Sequence, residues 1–212
     1  MPTTFRRSPL ALAILGMLEA TPLHPYGMQQ LIKQWGKDEV INVGQRASLY
    51  KMITRLHDAG LIAVEGTGRD QQYPERTTYR TTEAGRAALE QWMGEILSLP
   101  RNEFPEFPAA LSFAPAFTPR FVREQLVRRR EQLVHRLAEL DAALESEVAG
   151  MPVPRASMLE TEYVRAVTGA ELRWVDSVVA ELESGALSWR RKDFEEFQAA
   201  VDRRGGSDQA SS

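Results

Sequence analysis

The stretch Val43–Gly85, VGQRASLYKMITRLHDAGLIAVEGTGRDQQYPERTTYRTTEAG, decides the fold. From Ala47 onward its apolar residues fall at Leu49, Ile53, Leu56 and Ala59, with Met52 beside them, which keeps one stripe of a helix apolar. Gly60 sits where a left-handed residue ends such a helix, and Leu61 and Ile62 follow as a strand. Past Glu65 the segment GTGRDQQYPERTT has no apolar period, and its glycines and proline favour turns. The flanking strands, Leu61 to Glu65 and Thr78 to Thr81, are expected to pair as a hairpin, and a threonine-led helix start follows at once. Helix, strand, polar loop, strand and helix in that order make a winged helix.

The polar side of the first helix in this stretch carries Arg46, Ser48, Lys51, Thr54, Arg55 and Asp58, with Tyr50 near its N-terminal half. Arginine and lysine bond guanine edges or phosphates, and serine and threonine bond either. A recognition helix usually touches bases through its N-terminal half. For an isolated helix a solvated face is the commoner reading, but the order of elements turns the preference toward DNA contact. The loop tip carries Arg69, Gln71, Gln72, Tyr73 and Arg76. Arginine there suits the adjacent minor groove or the phosphate backbone, the alternative being an ordinary exposed hairpin loop.

Two shorter helices precede this stretch. Ser8-Pro9 is a good cap and first residue for the run LALAILGMLEA. Pro25 opens the next, which bears Tyr26, Met28, Leu31, Ile32 and Trp35 and stops at Gly36. Both are expected to pack behind the recognition helix as a three-helix core. Free N–H groups at the start of the second helix would seat a phosphate, where Tyr26 adds a hydroxyl or else belongs to the core.

These residues resemble the PadR-like transcriptional regulators. The resemblance rests on LALAILGMLEATPLHPYGMQQLI, on ASLYKMITRLHDAGLI, on TTYRTTEAGRAAL and on paired C-terminal helices, and covers roughly residues 8 to 185. The family's Gly/Ser-Ser/Thr-Leu-Tyr motif falls on Ala47, Ser48, Leu49 and Tyr50, its Arg-Leu on Arg55 and Leu56, and its Gly-Leu-Ile on Gly60, Leu61 and Ile62. Its Tyr-Arg/Lys-Leu-Thr-Glu-x-Gly element runs from Tyr79 to Gly85, with Thr81 in place of the leucine. The proline often found before the first motif is absent, and Gln45-Arg46 stands there, which makes Arg46 a new donor at the helix start. The resemblance implies a homodimer that binds an inverted-repeat operator in double-stranded DNA and usually represses. It further implies, for some members, release from DNA by a small aromatic or drug-like effector.

The chain has 212 residues, no cysteine and a formal net charge of −3, which at first argues against DNA. The charge is unevenly placed. Residues 1–81 hold ten Lys/Arg against seven Asp/Glu, and residues 82–212 hold 16 against 22. A modest positive excess on one face, doubled in a dimer, suffices for phosphate attraction and predicts marked salt sensitivity. No run of about 18 apolar residues spans a membrane. The start MPTTFRRSPL lacks a signal region, and the absence of cysteine suits a reducing cytoplasm, the expected location.

The C-terminal half reads as helical. Glu83 to Leu97 forms a linking helix, and residues 98–118 make a connector dense in proline and phenylalanine. Its Phe104, Phe107, Phe113 and Phe117 cover a core, the commoner use, or line a pocket for an apolar ligand. Thr118-Pro119 opens a long helix whose Val122, Leu126, Leu133, Leu137, Leu140, Leu144 and Val148 follow a heptad seam, broken by Gly150, Pro152 and Pro154. Ser157 is read as the cap of a second helix bearing Tyr163, Val164, Val167, Ala170, Trp174, Val175, Val178 and Leu182, up to Gly185. Two such helices leave seams that a second copy would bury, through Leu126, Leu133, Leu137, Leu140, Leu144, Val167, Trp174 and Val178. The alternative is a monomeric hairpin packed on the winged helix. An effector is expected against Trp92, Trp174, Phe104, Phe107 and Phe113.

The fold class is therefore mainly α with a small β-hairpin wing. A winged helix-turn-helix with its linking helix occupies residues 1–97, a connector 98–118, a helical-hairpin dimerisation domain 119–185 and a tail 186–212. No P-loop or GxGxxG spacing occurs, His24, His57 and His135 lie far apart, and no nucleophile has a neighbouring base, so neither cofactor, metal nor catalysis is expected. A winged helix that docks a partner protein rather than DNA is the competing reading.

Overall fold

Ser8 starts the fold: its Oγ accepts the Ala11 N–H at 3.2 Å while Pro9 takes the first helical position of α1 (Pro9–Ala20). This belongs to a computed structural model that describes residues 5–36, 46–68, 76–148, 151–190, 192, 193, 195, 196, 199, 200 and 203. α2 (Pro25–Gln34) opens on Pro25 in the same way, with His24 as its cap. α3 (Arg46–Asp58) ends at Gly60, whose φ of 72° is the left-handed conformation expected of it, and the Leu61 N–H donates to Leu56 O at 2.9 Å.

These helices close one core. Leu10, Ala11, Ile14, Leu15, Met17 and Leu18 of α1 meet Met28 and Ile32 of α2 and Leu49, Met52, Ile53 and Leu56 of α3, with Leu61, Ile62 and Trp92 completing it. Each large side chain fully buried there contributes roughly 1.5–3 kcal/mol relative to exposure. α3 can present its other face to solvent because this stripe fixes its rotation.

The wing follows. β1 (Ile62–Gly68) and β2 (Arg76–Thr81) pair antiparallel, Ile62 with Thr81 and Val64 with Tyr79, and a bulge at Glu65 shifts the register so that Gly66 meets Thr78. Both strands run beyond the expected Leu61–Glu65 and Thr78–Thr81. Leu23, between α1 and α2, exchanges two backbone hydrogen bonds with Tyr79 (3.0 and 2.9 Å), which ties the wing to the helices.

Thr82 joins the pieces. Its Oγ1 accepts the Gly85 N–H at 3.0 Å to cap α4 (Glu83–Ser98) and donates to Gly60 O at 2.7 Å, so one hydroxyl fixes the end of α3 and the start of α4. Gly85 lies so close to the β1 entry that a Cβ there would sit 1.9 Å from Leu61 O.

The chain divides into two units, Met1–Asn102 and Glu103–Ser212. In the second, α5 (Glu106–Ser112) is followed by α6 (Pro119–Leu144), which Thr118 caps by accepting the Phe121 N–H at 3.2 Å. A two-residue hairpin, β3 (Glu147–Val148) with β4 (Met151–Pro152), leads to α7 (Leu159–Ser184). α6 and α7 run antiparallel, shown by ion pairs from Arg129 to Glu171 and from Arg165 to Asp141 and by a small core of Leu126, Val175 and Val179. Two expectations are corrected here. The seam does not continue helically to Val148: α6 ends at Leu144, and Val148 pairs with Met151 in the hairpin that Gly150 and Pro152 favour. Ser157 does not cap α7: it closes a 3-10 turn in which its N–H donates to Pro154 O at 2.8 Å, and Met158 holds the cap position without a side-chain bond. No described helix is long and apolar enough to cross a membrane.

Candidate nucleic-acid interface

Burial sets the working face of α3. With Leu49, Met52, Ile53 and Leu56 inside, helical geometry places Ala47, Lys51, Thr54 and Asp58 along the ridge farthest from the core. Ser48, Tyr50, Lys51, Thr54 and Arg55 are all exposed, Tyr50 to 52%. Tyr50 and His57 form the flank toward the wing, where the His57 ring meets Tyr79 edge-on at 6.3 Å. Ser48 and Arg55 form the other flank, where the Arg55 guanidinium lies over Phe5, 5.2 Å from its centroid. Lys51 has no ion-pair partner among the described residues, so its charge remains available to an anion.

Thr54, one of the polar-side residues, shares the ridge with Lys51; its hydroxyl donates to Tyr50 O at 3.2 Å and keeps its own lone pairs as acceptors. Its angular distance from the buried stripe puts it at the centre of the free face. Asp58 ends the same ridge with a negative charge beside His57, which favours an approach to DNA through the N-terminal half of the helix.

Arg46 opens α3, and Arg76 opens β2 opposite Gly68. Arg69, Gln71 and Tyr73 lie outside the described residues. On the wing strands the Arg80 guanidinium is paired with Glu65, so that cation is already partly neutralised.

The start of α2 keeps fewer donors than its sequence suggested. His24 Nδ1 accepts the Gly27 N–H at 2.8 Å, and Pro25 has no N–H to offer. Tyr26 is exposed rather than in the core; its ring stacks on His24 at 6.2 Å and its hydroxyl accepts from the Gln30 amide at 3.1 Å. A phosphate at this corner would meet a tyrosine hydroxyl more readily than a row of amides.

The aromatic residues expected to meet a ligand fall in two places. Trp92 lies in the first core, with Phe5 stacked on it at 5.8 Å. In the second unit Phe107 meets Trp174 edge-on at 6.0 Å, with the Arg129 guanidinium 3.5 Å over the Phe107 ring, while Phe104 and Phe113 are exposed. A cavity of 370 Å3 in that unit is lined by Phe117, Phe121, Trp189 and Arg190, among others. Of the residues expected at a dimer seam, Leu126 and Leu140 are buried within the chain, and Leu133, Leu137, Leu144 and Val178 are half-buried. Val167 and Trp174 stay exposed, in line with Tyr163 and Ala170 on α7.

A three-helix core, a third helix with a cationic outer face and a two-stranded wing define a winged helix-turn-helix fold. Residues 14–91 match the model of the Transcriptional regulator PadR-like family. The matched stretch runs from within α1 to within α4 and so takes in the recognition helix and the wing, which places the likeness to that family in the first unit.

Solved structures share the fold along most of the chain. The PadR of Bacillus subtilis in complex with operator DNA is 20% identical, with a TM-score of 0.64 over 82% of this chain and 98% of that one. The same protein in complex with p-coumaric acid is 18% identical, with a TM-score of 0.65 over 83% and 99%. The virulence activator AphA of Vibrio cholerae is 22% identical, with a TM-score of 0.60 over 82% and 98%. No protein with a curated description matches the chain in sequence.

Proposed function

We propose that this chain is a homodimeric, cytoplasmic repressor that binds an inverted-repeat operator and leaves it when a small aromatic compound binds. The observation that carries the reading is the outer face of α3: a fully buried stripe aims Lys51, Thr54, Ser48 and Tyr50 at solvent beside a wing, with the Lys51 charge uncommitted. Arg46, Ser48, Tyr50 and Lys51 are the residues proposed to read bases. Arg55, Tyr26, Arg69, Gln71, Tyr73 and Arg76 are proposed to hold phosphate or the flanking groove.

Dimerisation is supported by the exposed stripe of Tyr163, Val167 and Ala170, which Trp174, 43% exposed beside Phe107, continues. Pairing α7 with a second copy would set the separation of the two recognition helices and hence the half-site spacing. The effector step is supported by the complex of the B. subtilis protein with p-coumaric acid and by the Phe107, Trp174 and Arg129 cluster, which offers ring faces and a cation to an aromatic acid. Such a compound would act by preferring a dimer whose recognition helices are mis-spaced for the operator.

Fluorescence anisotropy on the DNA upstream of its own gene and on a shuffled duplex, across a salt series, tests the core of the reading. Specific binding that falls steeply and linearly in log–log form supports it. Binding to neither duplex, together with a salt-insensitive complex with a protein, favours the competing docking module. AphA is a virulence activator, so sharing this fold does not fix the sign of regulation, and a reporter gene downstream of the bound site decides it.

A further inference from the structure

Phe5, Arg6 and Arg7 precede the Ser8 cap outside any helix, and two of the three are pinned. Phe5 stacks on Trp92 of α4, the ring planes 21° apart, and lies under the Arg55 guanidinium of α3. Arg7 pairs with Glu95, one turn further along α4. Phe5 and Arg7 are both held on α4, and Arg6 between them faces solvent. Arg6 is exposed, and no carboxylate among the described residues pairs with it. The segment therefore delivers a second uncommitted cation near the flank of α3 that holds Ser48 and Arg55.

We propose that this N-terminal arm is a further DNA-binding element, in which Arg6 contacts a backbone phosphate beside the groove that α3 enters and Phe5 is a positioning residue for Arg55. The inference rests on the DNA-binding reading above and adds to it a contact outside the helix and the wing. A purely structural arm would explain the stacking of Phe5 on Trp92 and the pairing of Arg7 with Glu95. It would assign nothing to Arg6, and it would leave the face of Phe5 turned to Arg55 without consequence. A guanidinium held against a ring samples fewer directions than a free one, so the cation reaches its phosphate with less ordering at the moment of binding.

The test uses the full chain and two duplexes, the upstream DNA of its own gene and a shuffled one, over a salt series. Arg6→Ala is expected to weaken both duplexes alike, by about five- to tenfold at moderate salt, and to lower the log–log salt slope by about one. Arg6→Lys keeps the charge and is expected to restore most of the slope. Phe5→Leu keeps an apolar cover on Trp92, checked by an unchanged unfolding midpoint, and is expected to weaken binding about threefold through Arg55; the double variant with Arg55→Ala should then bind no worse than Arg55→Ala alone. An Arg6→Ala protein with unchanged affinity and slope, beside a Lys51→Ala protein that loses affinity, rejects the arm and leaves the DNA-binding reading standing. A wild-type chain that binds neither duplex at any salt overturns both.

Discussion

In the first unit Ile14, Leu15, Met28, Ile32, Leu49, Leu56 and Ile62 are sealed from solvent, and the residues around them belong to three helices and a hairpin. In the second, among the described residues, Val175 and Val179 alone of the large side chains reach that degree, while Tyr163 is 69% and Trp174 43% exposed. Two antiparallel helices have one mutual face and cannot cover more. The first unit is thus a domain whose core is complete within one chain, and the second is a pair of helices with apolar surface to spare. That difference suits the proposed regulator, in which the unit proposed to read DNA keeps its shape and the unit proposed to set spacing pairs with a second copy.

The sharpest break of the first unit is Gly85→Ala. A Cβ there would lie 1.9 Å from Leu61 O and 2.9 Å from Thr81 Cγ2, and the Leu61 oxygen belongs to the backbone, which cannot swing aside. The expected cost is about 3 kcal/mol, with loss of the Thr82 junction, measured by urea unfolding. A near-normal midpoint would mean that α4 can slide on the wing, and the first unit would no longer count as the rigid one.

The second unit is broken differently. Val167→Glu with Trp174→Glu places two charges on its exposed stripe without touching Val175 or Val179. Helical content should persist in circular dichroism. Sedimentation should show the dimer dissociation constant raised about a hundredfold, which is about 2.7 kcal/mol. A doubly charged variant that remains dimeric would move the interface elsewhere, with the exposed Met93, Ile96 and Leu97 of α4 the next apolar surface to test.

A glycine on α7 sharpens the contrast with Gly85. At Gly169 a Cβ would meet Arg173 Nη1 at 3.6 Å and Leu137 Cδ2 at 3.9 Å, both ordinary contacts. Gly169→Ala is therefore expected to stabilise the chain by about 0.5–1 kcal/mol through helix propensity alone. Thermal unfolding of the two alanine variants side by side would show opposite signs. Destabilisation by Gly169→Ala would mean that α6 and α7 pack more tightly than their small core implies.

Local signals carried most of the fold. Ser8, Pro9, Pro25, Thr118 and Pro119 mark helix starts by their own side chains, and Gly36, Gly60 and Gly185 take the positive φ that ends a helix. The three-four spacing in α3 announced which face would be free. What the sequence could not show is contact between distant residues: the bond of Thr82 to Gly60, the Leu23 bridge to Tyr79, and Phe5 laid between Trp92 and Arg55. Ser157 misled because a good cap residue also closes a 3-10 turn, and Val148 because a heptad count does not feel the glycine and prolines beyond it. Of the site, the exposed face of α3 was legible, whereas Arg69, Gln71 and Tyr73 of the wing tip lie outside the described residues.

The smallest expected effect compares one carboxylate in each unit. The Gln91 amide and then the Arg7 guanidinium hold Glu95 below the usual carboxylate range, and the fork of Arg155 does the same for Glu162. A carboxyl whose folded pKa is depressed binds fewer protons folded than unfolded between the two values. Its contribution is complete above the unfolded pKa, near 4.5, and is lost as pH falls from there through the lower folded value. Stability should accordingly fall with acid below that point and stay flat with respect to these groups near neutrality. Glu95→Gln should flatten the acid limb of a first-unit signal such as Trp92 fluorescence, read in a background where Trp35, Trp174 and Trp189 are replaced by Phe. Glu162→Gln should flatten only the helical signal of the second unit. Both side chains are well hydrated, so screening by salt should shrink each effect, and the one that survives high salt identifies the ion pair built more firmly into its unit. Arg7 is the better shielded of the two arginines, at 19% exposure against 80% for Arg155, which favours Glu95. If the Glu162 pair proved the more salt-resistant, the start of α7 would be more tightly ordered than its exposed surroundings suggest, and the second unit would owe less to a partner chain than the exposed stripe implies.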